Sequence, residues 1–462
     1  MNQTTNMTEG RPLRLIVLFA LPMFFSNIFQ ELYYITDSII VGRMMGVKAF
    51  ASVGAAGFYY WLVLGIIFGF SQGFGALFAQ RFGAKDHEGL KHAIAQSVIW
   101  TAALSVLLTA ACLLLLRPAL VLVNTPAEVA DGAYTYLVCV LAATPVMFAY
   151  NVCAALLRAL GNSRTPLAAV MVSSIINIAL DLLFVGPCGM GIAGSAIATV
   201  IANCCALVYC VHRLKSIEAV RITPEDFKRG RDAAGALLKL GCPLALRNII
   251  IETGSILVQY VINGYGTLYV AGIAAAFKYI GIMNLVGFSL DGAAMVYVGQ
   301  NYGAGRSDRI KSGMRAARRL AIISSVITAA LTTLFGREMI KLFITGEVSE
   351  VAAVAEIGYR NLLAFSVCLP SLYLLLIYRS ALQGMGSAGA PMASGFIELA
   401  MRILSVLILP AFIGVWGVYF SLGAGWVAAA IQLVISYYVV FRKRFNAGSQ
   451  PSSLTGLPET PN

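Results

Sequence analysis

Charged residues are the scarcest class in this sequence, at 12% of the chain. A soluble domain carries roughly a quarter of its residues as Asp, Glu, Lys and Arg, so a large wet surface is excluded. Histidine is scarcer still: three residues, His87, His92 and His212, all at or near predicted helix ends. No His-metal or His-base centre can therefore be built inside the apolar spans. No G-x-x-x-x-G-K-[ST] loop is present, which argues against direct drive by ATP. An enzyme is not expected on these absences. Period-two alternation is also missing, which removes a β-barrel.

What the chain has instead is apolar length, with 59% hydrophobic residues among 462. Runs of about 20 apolar residues recur, each long enough at 1.5 Å per residue to cross the ~30 Å hydrocarbon layer. Twelve such spans are predicted, at 13–41, 50–79, 92–116, 132–157, 165–186, 190–212, 235–264, 270–299, 316–336, 353–382, 391–413 and 416–441. The fold class is thus an all-α membrane protein. The first span follows Arg11 and Arg14 and lacks a small-residue cleavage site, so it is read as an anchor.

Basic residues crowd one face of this twelve-span plan: the N-terminus, the stretch from Arg213 to Arg231, the loop with Arg306, Arg309, Lys311, Arg315, Arg318 and Arg319, and Arg442-Lys443-Arg444. The positive-inside rule places that face, and both termini, in the cytoplasm. The net charge of +12 is accounted for by this dispersal over alternate loops, and no nucleic-acid partner is expected. The nine cysteines sit mostly inside apolar spans without ligand spacing (Cys139, Cys153, Cys204, Cys205 and Cys368 among them) and read as packing residues. Residues 446–462 are rich in Gly, Ser and Pro and read as a disordered tail.

The chain repeats itself. Gln80-Arg-Phe-Gly-Ala-Lys answers to Gln300-Asn-Tyr-Gly-Ala-Gly, and Leu160-Gly161-Asn-Ser-Arg-Thr-Pro166 to Met385-Gly386-Ser-Ala-Gly-Ala-Pro391. Gly191-Ile-Ala-Gly194 answers to Gly414-Val-Trp-Gly417, and Ala20-Leu-Pro22 to Gly241-Cys-Pro243. Order and spacing are kept, so the plan is two six-helix lobes, 1–212 and 235–445, joined by a basic cytoplasmic linker, 213–234. An even number of spans per lobe gives both the same orientation, with a pseudo-twofold along the membrane normal and a cleft suited to alternating access.

Ionisable groups within such spans cost about 2.5–3.5 kcal/mol each on insertion scales and need a reason. Asp37 lies late in the first span; Asp181 lies in the fifth, with Asn177 one turn before it on the same face. Helix rise puts both acids in the outer half of the bilayer. Two carboxylates sharing a pocket cannot both stay charged without a proton or cation between them. The repeat equivalents of Asp37 and Asp181 are Val258 and Val406, so the scaffold itself does not require the acids. A proton or sodium site at Asp37, Asn177 and Asp181 is preferred over a structural hydrogen-bond network.

In the second half, Glu398 and Arg402 read as an i,i+4 salt bridge. Asp291 is taken to lie near a helix end. For Glu252, a substrate or ion role and a pairing with Lys278 or Arg247 stand side by side. Tyr33, like Tyr34, Tyr59, Tyr60 and Trp61, is either an interface anchor or a surface on which a flat cation stacks. Gln30, Tyr33, Glu252 and Lys278 are accordingly the candidates for a substrate or secondary ion site.

The run Leu21-Pro22, Tyr33-Tyr-Ile-Thr-Asp37-Ser-Ile-Ile-Val-Gly42 and Ala51-Ser-Val-Gly54 resembles the first helix and turn of the multidrug and toxic compound extrusion (MATE) transporters. Gln80-Arg-Phe-Gly-Ala-Lys, Leu157-Arg-Ala-Leu-Gly-Asn and Gln300-Asn-Tyr-Gly-Ala-Gly-Arg306 resemble that family's recurring loop motifs. The resemblance implies export of organic, often cationic and aromatic, compounds in exchange for protons or sodium, with no cofactor beyond that coupling ion. In the prokaryotic DinF-like branch it implies an N-lobe ion site at Asp37, Asn177 and Asp181, with supporting polar groups at Tyr136 in the fourth span and Thr199 in the sixth. The other bacterial branch uses C-lobe acids, for which Glu252 could stand, but a second such acid in the tenth span is lacking. Expected partners are small organic substrates, protons or sodium and the bilayer of a prokaryotic plasma membrane, with the chain acting as a monomer. The alternative is a flippase for lipid-linked sugars on a related lobe plan, which would favour a more basic central cavity.

Overall fold

Inside hydrocarbon each backbone N–H and C=O must be paired within the chain, and here helices do it. The computed structural model describes residues 4–122, 125–342, 344 and 348–445. Its helices are α1 Pro12–Gly83, α2 His87–Leu122, α3 Ala127–Ala142, α4 Thr144–Ala159, α5 Arg164–Val185, α6 Gly191–Lys215, α7 Pro224–Arg229, α8 Arg231–Asn263, α9 Thr267–Gly303, α10 Ser307–Lys341, α11 Val348–Gly384, α12 Gly389–Ile408, α13 Pro410–Ile413 and α14 Trp416–Phe445. Among the described residues there is no strand. The tail expected at 446–462 lies outside them.

Among the described residues, ten helices are each long and apolar enough to cross a membrane. The α3–α4 pair adds another crossing: it is bent by 51° at Ala143, just before Pro145, whose ring cannot donate the next helical hydrogen bond. Helix α1 counts twice. Its 72 residues are broken at Gly46, where φ is +83°, a left-handed conformation that a residue without Cβ adopts at little cost. Counted this way the described residues make twelve crossings, the number that the hydropathy pattern predicts, and the chain is an all-α multi-pass membrane protein.

The chain forms two compact units. The first holds Leu21–Phe78 and Asp86–Ala245; the second holds Asn6–Ala20, Ala79–Lys85 and the chain from Leu246 on. The repeated Gln-x-x-Gly motifs explain why residues 79–85 join the second unit. A Cβ on Gly83 would lie 2.0 Å from the Gln300 carbonyl oxygen, and one on Gly303 would lie 1.9 Å from that of Gln80. The two copies of the motif therefore cross backbone to backbone, each through the other's glycine. Gln80 Nε2 then donates to the Gly384 carbonyl at 2.8 Å, and Gln300 Oε1 accepts from the Met7 N–H at 2.8 Å.

In the first unit the segment after α6 is structured rather than a plain connector. A 3-10 turn at Glu218–Val220 leads into α7, which opens with a capping box between Thr223 and Asp226. Helix α7 docks on α2: Gln96 Nε2 donates to the Phe227 carbonyl at 2.9 Å, and His92 Nε2 lies 3.7 Å from Asp226 Oδ1.

Candidate functional site

Helices that face lipid invert the soluble pattern, turning large apolar side chains outward and small or polar ones inward. On α5, Ile175, Leu182 and Leu183 are exposed, whereas Ser174, Asn177 and Asp181 are buried. On α6 the buried face is Gly194, Ser195, Ala198, Thr199, Ala202 and Ala206. Such small residues let neighbouring backbones approach closely, so polar groups from different helices can meet.

They meet around Asp37 of α1, which is 7% exposed, and Asp181 of α5, which is fully buried. The two carboxyl groups lie close enough for each to stand in the other's field. Ser195 Oγ donates to Asp37 Oδ1 at 2.9 Å. With its amide oriented so that donor faces acceptor, Asn177 Nδ2 donates to Asp181 Oδ2 at 2.8 Å. In that orientation Asn177 Oδ1 accepts from the Thr199 N–H at 3.2 Å, and Tyr33 Oη shares a 3.1 Å hydrogen bond with Thr199 Oγ1. Tyr136 of α3 stands beside Thr199 in the field of both aspartates. Asp181 Oδ1 is buried with no donor on it among the described residues. No Lys, Arg or His among them pairs with either acid.

The structure thus brings Asp37, Asn177, Asp181, Tyr136 and Thr199 into one cluster, together with Ser195, which sequence reasoning missed. All the groups that surround the acid pair supply oxygen or a hydrogen-bond donor, a set suited to one proton or one hard cation. Gln30 and Tyr33 line an adjoining cavity with Tyr34, Tyr60, Tyr150, Asn151 and Asn203. Its volume of ≈ 60 Å³ holds a few waters. Sites for drug-sized molecules run to about 300–1,000 Å³, so the cavity in this conformation is smaller than such a site.

The candidates of the second unit lie elsewhere. Glu252 is half-buried on α8 in the field of Arg402, while Lys278 is exposed on α9, and no ion pair joins the two among the described residues. The crossing of α8 with α12 sets this: a Cβ on Gly254 would touch Leu399 and Arg402. Glu398 does pair with Arg402, at 3.3 Å, and Arg379 of α11 approaches it at 3.9 Å. Asp291 lies well inside α9, away from the helix end expected for it, and accepts from Ser380 Oγ. Arg247 donates to Asn248 Oδ1 at 3.2 and 2.7 Å and lies in the field of Asp291 and Glu398. Glu252, Asp291 and Glu398 each therefore have a guanidinium near them.

Comparison with known proteins gives the frame for this geometry. The family model described as MatE matches residues 22–183 and 243–408, which is most of the chain. The probable multidrug resistance protein YpnP of Bacillus subtilis is 26% identical over 348 residues, covering 75% of this chain and 77% of that protein. The probable multidrug resistance protein NorM of Thermotoga maritima is 23% identical over 430 residues, covering 91% and 89%. A solved MOP-superfamily transporter from Pyrococcus furiosus superposes with a TM-score of 0.88 at 23% identity, covering 96% of this chain and 99% of that one. At that identity the likeness is one of fold.

Proposed function

Since the chain belongs to the MatE family of multidrug efflux transporters, we propose that it exports organic, often cationic and aromatic, compounds across a prokaryotic plasma membrane by antiport with protons or sodium, coupled at Asp37 and Asp181. The single observation that carries the coupling site is the buried carboxyl pair with no basic partner among the described residues. In a low dielectric two such groups cannot both stay ionised. One proton held between them, or one sodium ion among Asp37, Asp181, Asn177, Ser195 and Thr199, removes the repulsion.

Asp37 rides on α1, Asp181 and Asn177 on α5, and Ser195 and Thr199 on α6. A cation at their meeting point draws α1 onto α5 and α6; its loss leaves two like charges that push them apart. The two arrangements of α1 therefore differ in free energy by an amount that depends on the cation, which is the coupling that alternating access requires. The small cavity lined by Gln30 and Tyr33 serves as the water-filled approach of the ion. The dispersal of Lys and Arg puts both termini in the cytoplasm.

The test is gradient-driven movement of an ethidium-like dye in proteoliposomes, under an imposed proton or sodium gradient, for wild type, Asp37→Asn and Asp181→Asn. Both variants should lose the gradient-driven component. Retention in both overturns the coupling site, and lipid scrambling that does not depend on dye points to the flippase instead.

A further inference from the structure

The basic loop and helix start around α10 are mostly self-paired. Arg306 pairs with Asp308 at 3.4 Å, and Arg309 donates to Asn301 Oδ1 at 3.0 Å and to the Met7 carbonyl at 3.2 Å. Lys311 lies 5.2 Å from the centre of the Phe441 ring, and Arg318 lies beside Tyr378 and Tyr438. Arg315 and Arg319 differ. Both are exposed, and among the described residues neither makes an ion pair, a hydrogen bond or a ring contact.

These two guanidiniums stand one turn apart on the same face of α10, over a groove of ≈ 330 Å³ whose other walls are Ser312, Leu320, Ile323 and Leu13 of α1. The groove is apolar at one end and cationic at the other. It also continues into a lipid-facing stripe: Ile323, Val326, Ile327, Leu331, Leu334 and Phe335 are all exposed further along α10. From Arg315 to Phe335 the helix rises about 30 Å, the thickness of the hydrocarbon core. A free anion would need the charged end alone, and the apolar wall would do nothing for it.

We propose that Arg315 and Arg319 form a headgroup site for an anionic phospholipid in the leaflet at the N-terminal end of α10, with Ser312 beside the phosphodiester and the acyl chain running past Leu13, Leu320 and Ile323. Guanidinium groups suit phosphate oxygens through forked hydrogen bonds, and basic pockets between membrane helices favour acidic lipid headgroups. The site is independent of Asp37 and Asp181 and of what is exported.

Native mass spectrometry of the full chain, released from micelles doped with phosphatidylglycerol or phosphatidylcholine, reads the occupancy directly. Wild type should retain phosphatidylglycerol over phosphatidylcholine. Arg315→Gln with Arg319→Gln should lower phosphatidylglycerol retention about 25-fold, from roughly five-fold for each of the two lost surface cations, and leave phosphatidylcholine unchanged. Arg315→Lys with Arg319→Lys should keep most of it, and Arg442→Gln with Lys443→Gln should keep all of it. Equal retention by the glutamine pair overturns the proposal. So does an equal loss in the Arg442/Lys443 variant, which would reduce the effect to general surface charge, and so does displacement of the lipid by millimolar inorganic phosphate, which would make this a free-anion site.

Discussion

The two units each bury carboxyl groups in a membrane-spanning scaffold, and they compensate them in opposite ways. In the second, Glu398 sits between Arg402 and Arg379, Glu252 faces Arg402, and Asp291 lies near Arg379 and Arg247. In the first, Asp37 and Asp181 face each other with hydroxyl and amide groups around them and no cation from the described chain. A carboxylate paired inside the protein asks nothing of the solution. One left with another carboxylate must take a proton or an ion from it. The repeat makes the contrast sharper: Val258, Val406 and Val418 are packed in one buried apolar cluster. The first two answer to Asp37 and Asp181, and the offset that maps Gly194 onto Gly417 maps Ser195 onto Val418. The same three-helix meeting point exists in both halves, polar in one and apolar in the other.

The change with the largest expected effect is in the second unit. Glu398→Gln leaves Arg402 and Arg379 buried without their acid, which should cost about 3–5 kcal/mol, as breaking a buried ion pair does. Thermal unfolding in detergent checks it, and protein that stays folded should keep its dependence on the cation gradient. Asp37→Asn should do the reverse, holding or raising the melting temperature while coupling is lost. An Asp37→Asn variant as destabilised as Glu398→Gln would erase the distinction between the units.

Next in size is an acid placed where the second unit is dry. Val406→Asp introduces a carboxyl into the cluster of Val258, Val418 and Tyr419, at about 2.5–3.5 kcal/mol on insertion scales. The loss would be read as reduced melting temperature and membrane yield. A silent Val406→Asp would mean that this meeting point is wet in both halves. Smaller again is Ser195→Ala, which removes a hydroxyl that donates to Asp37. A hydrogen bond to a charged group is worth about 1.5–3 kcal/mol, so the concentration of coupling cation needed for half-maximal transport should change about ten-fold. Ser195→Thr should restore most of it.

Much of this contrast is legible in the sequence. Apolar runs mark the crossings, the repeat marks the two copies of Gln-x-x-Gly, and helix rise brings Asp37 and Asp181 to one depth. Glu398–Arg402 is visible because both partners lie on one helix. Ser195 was not: a serine among Gly and Ala in a membrane helix looks like packing, and the available signal was its place one turn before Thr199. The roles of Arg379 and Arg247 were hidden because their partners come from α9 and α12, and no periodicity encodes which faces of those helices meet. The pairing weighed for Glu252 and Lys278 fails for the same reason. The continuity of α1 is unreadable as well, since one left-handed glycine replaces the loop expected near residues 42–49.

The smallest effect tests the contrast from outside the membrane. Asp226, at the edge of the first unit, accepts from the Thr223 N–H at 2.6 Å and from Thr223 Oγ1 at 2.9 Å, with His92 beside it. Burial pulls its carboxyl upward, but those hydrogen bonds and His92 outweigh this and hold it below the ordinary carboxylate range. The sign follows from linkage: its contribution to docking α7 is complete above the ordinary Asp value and is lost as pH falls through the lowered one. Asp226→Asn at neutral pH should therefore loosen α7 by less than about 1 kcal/mol, the scale of an exposed pair. Faster hydrogen exchange confined to residues 224–229 would show it, with gradient-driven transport unchanged. Loss of coupling in Asp226→Asn would mean that an acid already satisfied by its own chain still acts on the acid pair, and the division between satisfied and unsatisfied carboxyls would no longer separate structure from coupling.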